Sequence, residues 1–181
     1  LPIMQFYRVA VDNSLPFYHV YGGTQDNNTI GGPSRTTDRA GVTNEDWFVC
    51  VGGDGFDGAI DPEDPNTVYC EWQDGGLTRF DRKSGETVDI KPREKRDDPP
   101  FIFNWDTPLV ISPHKPTRLY YAGNFLFQSD DRGNSWTRIS DDLSRGLDRN
   151  QFKVLGVIQK PDAVAKHMST SIFGTAVALS E

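Results

Sequence analysis

Four acidic side chains, Asp54, Glu71, Asp74 and Asp106, sit among glycines, indoles and amides, and a pair of carboxyls in such a setting could cleave a glycosidic bond. That reaction usually takes one carboxyl to protonate the leaving oxygen and a second, about 5 to 10 Å away, to act as base or nucleophile. Gln25, Asp26, Asn27, Gln73 and Asn104 add amide and carboxylate groups near them in the chain, and Trp47, Trp72 and Trp105 add flat apolar faces. Indoles stack on sugar C–H surfaces, and amides and carboxylates bond hydroxyl or peptide groups, so the same set suits the binding of a glycan or a peptide without chemistry. No local motif selects two of the four acids as a catalytic pair. The plainer role for these residues is structural, with the indoles packed between elements and the acids capping turns.

Other chemistries find little support. His19, His114 and His167 are scattered, with no Cys or Asp at ligand or triad spacing. Arg8, Arg35, Arg79 and Arg118 cannot be gathered on one surface from sequence, so a sialidase site is not proposed. The runs Gly31-Gly32-Pro33 and Gly52-Gly53-Asp54-Gly55 precede no helical pattern, which points to turns rather than a phosphate cradle. Asp130-Asp131 and Asp141-Asp142 lack the ligand spacing of a calcium loop. No cofactor and no metal site are expected.

The chain has 181 residues, 36% of them hydrophobic, with 17 Gly, 12 Pro and 12% aromatic residues. That balance fits one turn-rich all-β unit better than a helical bundle. A formal net charge of -7 argues against binding to nucleic acid or to an anionic membrane surface. The chain opens on Leu1 inside a strand-like run, with no signal-peptide pattern, and reads as part of something longer. Cys50 and Cys70 lie in β-like runs; buried free thiols are the simpler reading, and a bridge gains weight in an oxidising compartment.

Positioning of these residues follows from turns. Ser129-Asp130-Asp131-Arg132-Gly133-Asn134-Ser135-Trp136 reads S-x-D-x-G-x-S-W, in which a short carboxylate can accept backbone N–H groups and Gly133 can take positive φ. The mixed apolar and polar runs on either side make the segment a β-hairpin. A second regularity is repetition: residues 60–69 align without gaps on residues 111–120, strand, Pro-rich turn, strand, with an earlier copy at 11–21 and a last fragment at 178–181. Each copy continues into a second hairpin. Four strands per repeat make a propeller blade.

The expected fold is therefore all-β, a β-propeller fragment of about three four-stranded antiparallel blades plus the first strand of a further blade. The blades are placed at residues 5–34, 58–92 and 108–140, and the opening strand of the next at 175–181. Residues 141–171 form an insertion between blades that could hold a short helix at 162–167. In a blade with strands a to d, the a–b and c–d turns lie on one face, here called lower, and the b–c turns and the crossovers to the next blade lie on the upper face. The Pro turns and the Ser129–Trp136 turn then belong to the lower face. Gln25, Asp26, Asn27, Trp47, Asp54, Glu71, Trp72, Gln73, Asp74, Asn104, Trp105 and Asp106 are assigned to the upper one.

The Ser129–Trp136 spacing resembles the Asp-box, or BNR repeat, of sialidase-like and sortilin-like β-propellers, with Ser135 standing where the repeat has Thr. Ser129, Asp131, Gly133, Ser135 and Trp136 are its structural positions. Together with Tyr21-Gly22-Gly23-Thr24-Gln25-Asp26-Asn27 and Gly52-Gly53-Asp54-Gly55-Phe56, the box makes nearly the whole chain similar to large secreted bacterial BNR-repeat proteins, often labelled glycosyl-hydrolase-like or sortilin-like. The resemblance implies an extracellular or periplasmic recognition scaffold that binds a peptide or a glycan on its upper face. The alternative it implies is a propeller glycoside hydrolase acting on a polysaccharide. Family members close their propellers with more blades, so the open edges here imply either the remainder of a longer chain or a homodimer that closes the ring.

Overall fold

The computed structural model describes residues 3–164, 166 and 174–181. Short strands broken by Pro, Gly and Asp turns pair with their sequence neighbours, because each is reversed within a few residues. The first sheet is β1 (Val9–Val11), β2 (His19–Gly23), β3 (Thr29–Pro33) and β4 (Phe48–Val51), antiparallel and in chain order. The second is β5 (Gly55–Ile60), β6 (Thr67–Trp72), β7 (Gly76–Asp81) and β8 (Thr87–Asp89). The third is β9 (Leu109–Ile111), β10 (Leu119–Ala122), β11 (Leu126–Ser129) and β12 (Thr137–Arg138). No α-helix occurs among the described residues, so the fold is all-β and built of three propeller-type blades.

Several bounds differ from the sequence reading. The first blade does not close within residues 5–34: its fourth strand, β4, follows a loop over 34–47 that carries a single 3-10 turn, Asn44–Asp46. The second begins at Gly55 rather than residue 58, and a register irregularity between Gly55 and Gly58 blurs its start. The third, Leu109 to Arg138, falls inside 108–140. Residues 141–171 hold a small exposed hairpin, β13 (Lys153–Val154) with β14 (Val157–Ile158), and Arg149–Gln151 forms a 3-10 turn. The described part of 162–167 is turn and bend, not helix; Ala165 and His167 lie outside the described residues.

Residues 175–181 are assigned no strand. Yet Ala176 donates its N–H to the Gly123 carbonyl at 3.0 Å, as Gly55 does to the Thr24 carbonyl at 3.2 Å where the second blade starts. That bond sets the segment beside the end of β10, and it forms no strand there.

Alternation along the second strand of each blade builds the core. Val68 and Cys70 point back to Tyr21, Cys50 and Phe80 at the first joint, while Tyr69 points forward to join Leu77, Leu119, Tyr121 and Phe127 at the second. Cys50 and Cys70 are both buried and unbridged. The hydrogen bond that the Cys70 thiol gives Cys50, together with burial, pushes that thiol well above its ordinary range.

The Ser129–Trp136 turn is self-satisfied. Ser129 Oγ accepts the N–H of Gly133 at 2.8 Å, and Asp131 accepts the N–H of Ser135 at 2.8 Å and its hydroxyl at 2.6 Å. Gly133 has φ +86°, and a Cβ there would lie 2.5 Å from the Ile90 side chain. Trp136 donates Nε1–H to the Ile90 carbonyl at 2.6 Å, which pins the turn to the preceding blade.

Candidate functional site

The upper edge is built from the β2–β3 turn, the β6–β7 turn and the crossovers that lead into β5 and β9. Asp54, in the first crossover, is buried and organises its surroundings. Its Oδ1 accepts the N–H of Asp26 at 2.7 Å, its Oδ2 accepts Nε2–H of Gln25 at 3.2 Å, and its own N–H donates to Gln73 Oε1 at 3.1 Å. Asp26 and Asn28 adopt positive φ, which short polar residues tolerate and which the tight turn requires. Tyr7 closes the network with a hydroxyl hydrogen bond to Gln25 Oε1. An open groove of about 570 Å³ runs along this edge, lined by Met4, Phe6, Tyr7, Thr24, Gln25 and Asn27 among others.

A second cluster lies beside the first. Arg8, just before β1, donates Nη1–H to Asp57 at 3.1 Å and Nη2–H to Asp106 at 3.2 Å. Glu71, at the upper end of β6, is wholly buried and accepts the N–H groups of Asp57 (3.3 Å) and Thr107. Burial, with Asp106 and Asp57 nearby, pushes the Glu71 carboxyl up to about 9 against the pull of its two N–H donors. Burial also raises Asp57, and Arg8 opposes that rise. The aromatic rings Tyr7, Phe56 and Trp105 join the clusters, with centroids 5.0 Å apart for Tyr7–Phe56 and 6.2 Å for Phe56–Trp105.

The remaining sequence-derived positions divide. Trp72 is exposed at the end of β6, and its ring lies across Gly76, where a Cβ would meet it at 2.2 Å. Asp74 is exposed in a positive-φ turn and gives its carbonyl to Lys91 Nζ at 2.8 Å. Asn104 ties the second crossover to Thr175 at 3.1 Å. Trp47 is a correction: it ends the β3–β4 connection, on the lower side of the blade. It lies over Gly32 with Phe6 stacked beside it at 6.4 Å, covering the open side of the first blade rather than any upper-face ligand. Asp57 carries no signal in the sequence, and Arg8 is there only one of four arginines that sequence could not place.

None of the four candidate acids pairs with another as a free cleft-facing couple. Asp54 is buried and holds Gln25 and the Asp26 N–H, Glu71 has no solvent exposure, Asp106 is held by Arg8, and Asp74 is exposed in its turn. The exposed Tyr7 ring and the half-buried Trp105 ring stand on this edge with the amides of the β2–β3 turn. Among the acids of this edge Asp26 and Asp74 are exposed, Asp57 and Asp106 are paired with Arg8, and Asp54 and Glu71 are buried.

The fold defines an all-β chain of propeller blades, with Asp54, Glu71 and Asp106 engaged in holding its upper edge. No family model matches the chain, and no curated protein matches it. Among solved structures it is similar to the crystal structure of a GH74 enzyme of Niastella koreensis, at 15% identity and a TM-score of 0.45, over 72% of this chain. The aligned part makes up 22% of that enzyme's chain.

Proposed function

We propose that the chain is part of a secreted BNR-repeat, sortilin-like propeller, extracellular or periplasmic, that recognises a glycan or a peptide on its upper face without cleaving it. The observation that carries this reading is the commitment of Asp54, Glu71 and Asp106 to N–H donors and to Arg8, beside a groove edged with exposed aromatic and amide groups. The Ser129–Trp136 turn, in which Ser129 and Asp131 accept the N–H groups of Gly133 and Ser135, supports the repeat assignment. A net charge of -7 favours neutral or cationic ligands.

The glycoside hydrolase reading draws on one feature, a carboxyl kept protonated at neutral pH as a general acid must be. Glu71 cannot serve in that role from a position without solvent contact. Val9, Val11 and Val49, exposed on the side of the first blade away from the second, support a further blade from the rest of a longer chain or from a second copy. Binding of the chain to arrayed neutral and cationic glycans and to extended peptides tests the proposal. Saturable binding that weakens in Tyr7→Ala and Trp105→Ala supports it, and uniform absence of binding refutes it.

A further inference from the structure

Two carboxyl groups meet one guanidinium where the blades join, and a third lies behind them. Arg8 reaches from the first blade to Asp57 on β5 and to Asp106 on the crossover into the third. Behind them Glu71 accepts the N–H groups of Asp57 and Thr107, so it joins β5, β6 and that crossover. Tyr121, on β10, faces the same acids from the third blade with its hydroxyl buried beside Thr107, and Asp106 Oδ1 is buried without a hydrogen-bond partner. Glu71 itself is fully buried, and a part-exposed cation already paired with two carboxylates leaves a third, buried negative charge uncompensated. The cluster also holds an acceptor, Asp106 Oδ1, that lacks a donor.

We propose that Glu71 keeps its proton in the folded protein at neutral pH, and that this neutral carboxyl is a pH-sensitive latch holding the 104–107 crossover to the second blade. The proton removes one of the three negative charges and adds an O–H donor among the acids. Its loss leaves Asp57, Asp106 and Glu71 ionised around Arg8, with Tyr121 as the remaining facing group. Repulsion then falls on the crossover that carries Thr107, Asp106 and Trp105, and Trp105 loosens from Phe56. The upward shift of the Glu71 carboxyl to about 9 agrees with this assignment.

The sign of the effect follows from proton counting. Below the ordinary Glu range both the folded and unfolded states hold the proton. Between that range and the folded-state value only the folded state holds it, so stability falls as pH rises across this window and levels off beyond it. Glu71→Gln keeps a neutral donor and acceptor at the site and removes the titration.

Urea unfolding of the full chain from pH 5 to pH 9 compares wild type with Glu71→Gln. The wild-type unfolding constant, divided by that of the variant, is expected to rise about tenfold per pH unit. A ratio that stays constant overturns the proposal. Should the variant not fold, ¹³C NMR of the Glu71 carboxyl in the wild-type chain decides: a midpoint well above neutrality supports the latch, and a midpoint in the ordinary acidic range overturns it. The Thr107 amide signal is expected to move with the same midpoint; a Thr107 amide indifferent to that titration overturns its role as the latch point.

Discussion

Arg132 places its Nε 2.6 Å from Asp61 Oδ2, and so joins the β11–β12 turn of the third blade to the β5–β6 turn of the second. Arg82 and Asp12 repeat the arrangement one blade earlier, at 3.3 Å. Each aspartate has two duties. Asp61 Oδ1 accepts the N–H groups of Glu63 and Asp64 in its own turn, and Asp12 Oδ1 accepts those of Ser14 and His19, while Oδ2 faces the next blade. In the third blade Ser112 fills this place; its Oγ accepts the N–H groups of His114 and Lys115 but carries no charge for a neighbour. The lower edge is thus a row of turn-capping residues, two of which double as joints.

Arg132→Met tests the joint. The Asp61 side chain has no solvent exposure, so the variant leaves its charge held only by its own turn. A loss of about 1 to 3 kcal/mol is expected for a hydrogen bond to a charged group, discounted for the part-exposed arginine. Urea unfolding measures it; an unchanged midpoint would contradict the role given to the pair.

Asp131→Ala is expected to cost about 1 to 2 kcal/mol through its lost turn hydrogen bonds, with ligand binding unaltered. Burial acts to raise the Asp131 carboxyl, but its bonds to Ser135, Ser129 and Asn134 win and hold it below the usual carboxylate range. A lowered folded-state pKa means that this contribution is present above the ordinary Asp value and is lost as pH falls through the folded one. The stability gap between wild type and variant should therefore narrow in acid. Weakened binding with intact stability would place the turn at the ligand instead.

Cys50 and Cys70 are buried at the first joint, and the Cys70 thiol is held in its protonated form. The thiolate is the reactive species, so a disulfide reagent is expected to label both only at the rate of unfolding and at once in denaturant. Immediate labelling of the native chain would contradict the packing of β4 against β6.

Local signals made much of this architecture readable. The Ser129–Trp136 turn and the Pro turns at 61–66 and 112–118 announce themselves, because turn chemistry is written in adjacent residues. The joints are not local: Arg8 meets Asp57 and Asp106 at separations of 49 and 98 residues, and no spacing rule pairs them. β4 escaped because the loop over 34–47 carries no hairpin signature, and Trp47 went to the wrong face with it. Asp54, Glu71 and Asp106 do gather along one edge, as loop sorting implies. Their engagement with Asp26, Thr107 and Arg8 could only be seen in three dimensions.

The central claim is that the upper edge recognises a ligand without catalysing its cleavage. Its most direct measurement incubates the chain with a panel of neutral oligosaccharides and peptides, following binding by saturation-transfer NMR and bond cleavage by mass spectrometry in the same samples. Binding lost in Tyr7→Ala or Trp105→Ala, with every ligand recovered intact, is the predicted result. Release of shorter saccharides that stops in Asp54→Asn, Asp74→Asn or Asp106→Asn would contradict it.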